Sequence, residues 1–132
     1  MRKLLFQGLI FASILICNDA FARFGEHEWV FEPHEKVVID KSDYTKQGVE
    51  YGCKDINPAA TFHLTYTDPK YLKIVTDNPN QITHIKDKKL FIISNVKSLD
   101  VSFPWVGGPH TFENVTDNKV VGKNCDTGIY GY

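Results

Sequence analysis

Residues 61–67 read TFHLTYT, the clearest alternation of apolar and polar side chains in the chain. Phe62, Leu64 and Tyr66 fall on one face of an extended segment, and threonine and histidine side chains fall on the other. A period of two residues is typical of a β-strand with one buried face. The segment therefore predicts a strand that packs on a hydrophobic core.

Similar short runs continue on both sides of this strand. They are separated by turn signals such as Asn-Pro, Asp-Pro and Asp-Lys, and a helical period with capping residues is missing after residue 23. The runs fall at residues 36–40, 49–53, 71–76, 81–86, 89–94, 99–103, 111–115 and 119–123. We therefore predict an all-β fold, a small antiparallel barrel or sandwich, with a simple meander as a further option.

The connections between these runs carry finer predictions. Hairpins are expected around residues 87–88 and around residues 116–118. Residues 54–60 contain Asn-Pro and predict a turn, with a short helix as the alternative. The tail from residue 125 contains two glycines and predicts irregular structure.

Composition limits the class of protein. The chain has 132 residues, of which 42% are hydrophobic, and this is enough for one domain with a packed core rather than a disordered chain. The 15 basic and 16 acidic residues give a net charge of −1. A basic nucleic-acid-binding protein is therefore not indicated, and we expect no nucleic acid partner.

Residues 1–22 have the pattern of a secretory signal peptide. Arg2 and Lys3 precede an apolar stretch, and residues 20–22 read AFA, a site typical of cleavage. The apolar stretch has about 14 residues, whereas a membrane-spanning helix needs about 20. We therefore predict a periplasmic or secreted protein without a transmembrane segment after cleavage; the alternative is an uncleaved anchor.

The rest of the chain, residues 23–132, is predicted to be a single β domain with 13 basic and 15 acidic residues, a net charge of −2. Residues 23–48 are read as an N-terminal arm and first strands, and residues 49–126 as a core. Cys53 and Cys125 are the cysteines that remain, and in an oxidising compartment they predict one structural disulfide that closes this core. A reactive thiol or a pair of metal ligands is the alternative.

Catalytic and metal-binding patterns are weak. The sequence has no G-x-S-x-G motif, serine is sparse, and the carboxylates fall mostly in predicted turns, so we expect no enzyme and no cofactor. Five histidines invite a metal site, but only His27 and His34 have acidic neighbours. A dedicated metal site is therefore not expected, and small-ligand or metal binding by these two residues stays an alternative.

Residues 103–110 read FPWVGGPH and form the most unusual segment. A tryptophan framed by proline and glycine is a common way to present a contact residue on a loop. We therefore take Trp105, Gly107, Gly108 and His110 as candidate binding residues. In the alternative, Trp105 folds back and caps one end of the barrel.

Residues 49–55 (VEYGCKD) and 119–125 (KVVGKNC) carry a resemblance to a known family. They resemble the Y-x-C and N-C strands of the periplasmic C-type lysozyme inhibitors of the MliC type. The resemblance implies an eight-stranded antiparallel barrel in which a disulfide between Cys53 and Cys125 joins the first and last strands. It also implies inhibition of a lysozyme.

The inhibitory loop of that family reads Ser-Gly-x-x-Tyr, and the matching zone here is residues 94–98, SNVKS. Ser94 fits the pattern, whereas Asn95 stands in place of the glycine and Ser98 in place of the tyrosine. The resemblance adds these three residues to the candidate binding residues.

Together these observations predict an exported, non-enzymatic protein-binding domain, either an inhibitor or an immunity protein, whose partner is a hydrolase. A second hypothesis is a structural or accessory subunit of a cell-envelope or secretion assembly, which would use an edge strand near residues 28–40. The oligomeric state and the order of the strands are left open by the sequence.

Overall fold

A computed structural model describes residues 27–39, 48–70, 72–103 and 109–130. Its strands are β1 (Trp29–Phe31), β2 (Lys36–Ile39), β3 (Gly48–Asn57), β4 (Ala60–Thr65), β5 (Lys73–Thr76), β6 (Ile82–Ile85), β7 (Leu90–Val96), β8 (Leu99–Phe103), β9 (His110–Asn114) and β10 (Val120–Tyr130). They form two packed five-stranded antiparallel sheets. The predicted all-β fold with one disulfide is confirmed, and because the two sheets are not closed into a barrel, it is a sandwich.

The two sheets have matching strand orders. The first sheet runs β1-β10-β3-β8-β5, and the second runs β2-β9-β4-β7-β6. Strands that follow each other in the chain therefore take the same place in the order of the two sheets, one strand in each sheet. The pairs are β1–β2, β3–β4, β5–β6, β7–β8 and β9–β10. Such a pair acts as one long strand that bends at the corner, as in sheets joined by strands that switch layers. The sandwich is in effect one five-stranded sheet folded on itself.

This topology corrects the hairpin predicted at residues 116–118. Residues 116–118 do not close a hairpin, because β9 pairs with β2 and β4, whereas β10 pairs with β1 and β3. The hairpin around residues 87–88 is confirmed, since β6 pairs with β7 across a 3-10 turn at Lys86–Lys88. A period of two predicts each strand but carries no information on its partner.

Two predicted irregular segments are strands. β3 continues to Asn57, so the turn is shorter than predicted and residues 54–57 are not helical. β10 continues to Tyr130, which pairs with Gly48. Gly128 does not interrupt it, because β3 supplies a hydrogen-bonding partner along this length, and sheet context outweighs intrinsic propensity.

The core confirms the alternation in residues 61–67. Phe62, Leu64 and Tyr66 are buried, with 1%, 0% and 6% of their surface exposed. The Phe62 ring stacks on Phe112 with ring centroids 4.7 Å apart, and Phe31 of β1 meets Phe62 edge to face. β4 thus contributes its apolar face to a cluster built by strands of both sheets.

Cys53 and Cys125 form a disulfide with Cα atoms 4.0 Å apart. They lie directly opposite each other on β3 and β10, which are neighbours in the first sheet. The predicted disulfide is confirmed, but it does not join the first and last strands of an eight-stranded barrel. None of the helical segments in the described ranges is long or apolar enough for a membrane crossing.

Candidate functional site

A groove crosses the outer face of the first sheet and encloses about 320 Å³, whereas the two cavities inside the core hold about 10 Å³ each. It passes over strands β10, β3, β8 and β5. Its lining side chains include Glu50, Gly52, Lys54, Val75, Ser98, Asp100, Asn124 and Asp126. We call it the acidic groove, because three of these side chains are carboxylates.

Strand register brings the carboxylates together. Gly52 of β3 lies opposite Asp126 of β10 on one side and opposite Asp100 of β8 on the other. A Cβ atom at Gly52 would lie 3.2 Å from Oδ2 of Asp100, tighter than nine in ten such contacts. The glycine therefore leaves the space in which the Asp100 carboxyl group lies over β3.

The electrostatics of the groove centre on Asp100. The pKa of Asp100 is raised to about 6, first by partial burial, and then by the hydrogen bond between its carboxyl group and that of Glu50 and by the charge of Glu50. The positive charge of Lys73 opposes this shift, and Asp126 adds to it. Two hydrogen-bonded carboxyl groups share a proton. The groove thus gains negative charge as the pH rises through about 6.

Such a groove can bind cations. Carboxylates that are partly withdrawn from water form strong, charge-assisted hydrogen bonds to guanidinium and ammonium groups. Val75 is 51% exposed at the margin of the groove and offers an apolar contact for the stem of a long side chain. The arrangement is suited to a lysine or arginine side chain of a binding partner.

The sequence-predicted loop residues divide into two groups. Trp105, Gly107 and Gly108 lie outside the described residues, and their role stays a prediction. His110 is the first residue of β9 and is fully buried, with its ring 5.2 Å from that of Phe103. In this structure its side chain is therefore not available to a partner.

The zone matched to the inhibitory loop is the end of β7 and the corner that follows it. Ser94 is partly buried in β7, and Asn95 is exposed with a φ of 52°. Asparagine tolerates this left-handed conformation, which a glycine would also adopt. The backbone N–H of Asn95 donates to Oγ1 of Thr61 at 3.1 Å.

Ser98 is the sequence-predicted residue that reaches the acidic groove. Its backbone N–H and that of Lys97 donate to Oδ1 of Asp77 at 3.1 and 3.0 Å. These two hydrogen bonds lower the pKa of Asp77. A carboxylate from the corner between β5 and β6 thus fixes the corner between β7 and β8, and with it one wall of the groove.

The sequence interpretation did not single out Glu50, Asp100 and Asp126, because it treated the carboxylates as mostly turn residues and took Glu50 and Asp100 only as the polar faces of predicted strands. All three lie on strands, at positions that alternate with buried residues. Aspartate is depleted in strands, so an aspartate at the second position of LDVSF was itself a signal. Their assembly depends on which strands are neighbours.

The two histidines of the metal-binding alternative have separate partners. His34 Nε2 lies 2.8 Å from Oδ1 of Asp117, and His27 Nδ1 lies 3.4 Å from the carbonyl oxygen of Cys125. Within the described residues, no group of three or more histidine, cysteine or acidic side chains is arranged to hold a metal ion. The structure thus offers this alternative no assembled set of ligands among the residues it describes.

The fold and the groove define this protein as a disulfide-bonded β-sandwich with a groove on one outer face that three carboxylates line. Comparisons with protein-family models, with curated proteins and with solved structures find no match to this chain. The resemblance to lysozyme inhibitors therefore depends on the quoted motifs alone, and the function is inferred from the site.

Proposed function

We propose that this protein is an exported, non-enzymatic binding domain that holds a protein partner through a lysine- or arginine-bearing segment in the acidic groove. The observation that carries the proposal is the Glu50–Asp100 carboxyl pair, which lines the acidic groove together with Asp126. Complementary charge of this kind directs a partner to a surface and fixes its orientation.

The surroundings of the carboxyl pair support a protein as the ligand. The groove has one open margin at β5, which pairs only with β8 among the described strands. Val75 is exposed there, so an extended segment of a partner can contact both this side chain and the carboxylates. Pairing along a strand edge is a common mode of peptide recognition.

The spacing of the carboxyl groups supports binding rather than glycoside hydrolysis. Retaining glycosidases place two carboxyl groups about 5 Å apart, and inverting ones place them further apart, because the sugar or a water molecule must fit between them. Glu50 and Asp100 are hydrogen-bonded to each other. A pair in direct contact leaves no such space.

The predicted signal peptide and the disulfide favour a periplasmic or secreted location, since disulfides persist in oxidising compartments. The resemblance to lysozyme inhibitors implies a hydrolase as the partner. Because the groove is lined by carboxylates, we expect the contacting surface of this hydrolase to carry lysine or arginine.

The test measures binding of residues 23–132 to a panel of lysozymes and other secreted hydrolases by surface plasmon resonance. A Glu50→Gln/Asp100→Asn double variant should weaken binding of the partner roughly tenfold or more, about 1.4 kcal/mol. Asp87→Asn at the tip of the β6–β7 hairpin is the matched control and should change the affinity less than twofold. Equal affinity of the double variant and the wild type would refute the groove as the site.

Trp105→Ala separates the groove from the loop predicted by the sequence. If the loop carries the interaction, this variant loses binding while the double variant at Glu50 and Asp100 retains it. If the acidic groove carries it, the outcome is reversed. Loss in both variants would indicate one surface that includes both features.

An accessory subunit of an envelope assembly is a second candidate. β1 and β2 are edge strands of the two sheets, as expected for residues 28–40, and Val38 of β2 is 42% exposed. An exposed apolar residue on an edge strand favours pairing with another chain. A native mass above that of the monomer, or co-fractionation with membranes, would support this candidate, and a soluble monomer would count against it.

A further inference from the structure

The imidazole of His110 is enclosed at the end of the sandwich. It is 0% exposed, and neither Nδ1 nor Nε2 has a hydrogen-bond partner. Ile39, the last residue of β2, lies opposite it in the ladder and is also fully buried. A polar ring in this position is unusual, because buried polar groups nearly always have partners.

The surroundings of His110 give a proton no stabilising contact. β2 and β8 contribute Ile39 and Phe103, which are apolar. The titratable side chains Tyr66, which follows β4, and His84 of β6 are bonded to each other, with Tyr66 Oη 2.6 Å from His84 Nε2. Burial alone lowers the pKa of His110 to about 4, since no charged group contributes to the shift.

We propose that His110 is an acid-operated latch, which keeps the β2–β9 end of the sandwich closed while its ring is neutral and opens this end when the ring takes up a proton. A charged imidazole cannot stay in an apolar enclosure without a partner, so it must reach water. Pro109 precedes it, and its carbonyl accepts a hydrogen bond from Thr67 Oγ1 at 2.9 Å. Opening would therefore also change the contacts that hold the start of β9.

The direction of the pH effect follows from linkage. The folded pKa of about 4 lies below the ordinary value of 6.5, so the open form binds more protons at every pH below about 6.5. The stabilising effect of a neutral His110 is complete above 6.5 and is lost as the pH falls toward 4. The equilibrium constant for opening should rise about 20-fold between pH 7 and pH 5.

Hydrogen exchange tests this latch. Amide protection in β2 and at the start of β9 is compared between the wild type and His110→Phe at pH 7 and at pH 5, since a comparison at equal pH cancels the intrinsic exchange rate. Between pH 7 and pH 5, the amides of β2 and of the start of β9 should lose about 20-fold more protection in the wild type than in His110→Phe. The amides of β3 and β10 should keep their protection in both proteins. His63→Gln, on the partly exposed face of β4, should behave like the wild type.

Two results would overturn the proposal. The first is equal pH dependence in the wild type and His110→Phe. The second is loss of protection across β3 and β10 together with β2 and β9, which would indicate global unfolding rather than a latch. If His110→Phe does not fold, NMR titration of the wild type decides the question, because a His110 ring that becomes charged near pH 6.5 in the closed protein contradicts the latch.

Discussion

Gly122 offers a sharp test of how the disulfide is packed. A Cβ atom at this position would lie 2.7 Å from Sγ of Cys53 and 3.3 Å from Sγ of Cys125. The sulfur atoms cannot move aside, because the bridge ties them to two neighbouring strands. β10 cannot move easily either, since Gly122 pairs with Trp29 of β1 and with Ile56 of β3. Gly122→Ala therefore forces a shift in the middle of the first sheet.

The magnitude can be estimated from two effects. Overpacking of this kind costs about 1–3 kcal/mol. The disulfide itself joins residues 72 apart in sequence, and chain-entropy arguments give it a stabilisation of about 4 kcal/mol. If both cysteines are replaced by alanine, the sulfur atoms are absent and the methyl group of Ala at position 122 occupies part of their space. The cost of Gly122→Ala should then fall below about 0.5 kcal/mol.

The assay is urea-induced unfolding of four proteins: the wild type, Gly122→Ala, Cys53→Ala/Cys125→Ala and the triple variant. Sucrose is added to all four alike, so that the variants without the bridge stay folded. We expect a coupling free energy of at least about 1 kcal/mol between position 122 and the bridge. If the losses of unfolding free energy caused by Gly122→Ala and by the cysteine replacements add within about 0.5 kcal/mol, the reasoning is refuted. The methyl group at position 122 and the sulfur atoms would then not compete for space.

Three further predictions concern the core, the groove and the corner. Phe62→Ala should lower the free energy of unfolding by about 3–5 kcal/mol in urea titrations, and Phe62→Leu by clearly less. Asp100→Asn should raise the melting temperature at pH 8 but not at pH 3.5, because the raised pKa of about 6 means that stability is lost as the pH rises through that value. Asn114→Ala should cost about 1–3 kcal/mol by calorimetry, since the buried Asn114 amide donates to the Glu32 carbonyl.

The strands could be predicted from the sequence, and their partners could not. Residues 61–67 indicate a half-buried strand by their period of two, and β4 has the predicted faces. The same period is shared by most other strands, so it cannot indicate that β4 pairs with β7 and β9. Turn signals are equally ambiguous, because the turn at residues 116–118 joins two sheets and the one at residues 87–88 closes a hairpin.

The candidate site was hidden for the same reason. Glu50 and Asp100 are far apart in sequence and become neighbours only because β3 pairs with β8. The role of Gly52 likewise depends on this pairing, because the Asp100 carboxyl group of the neighbouring strand lies over it. Ser98, in contrast, was a candidate because the resemblance places it in the zone matched to the inhibitory loop, and it lines the groove.

The disulfide and the acidic groove belong to the same part of the first sheet. Cys53 and Cys125 point into the core, and their chain neighbours Gly52 and Asp126 are opposite each other on the outer face. A slip of β10 by one residue would turn Asp126 toward the core and remove it from the groove. Since the bridge allows only one register here, it fixes the row that runs from Asp126 over Gly52 to Asp100. The disulfide thus has two consequences, because it stabilises a fold built on distant strand pairings and it holds the carboxylates of the groove in place.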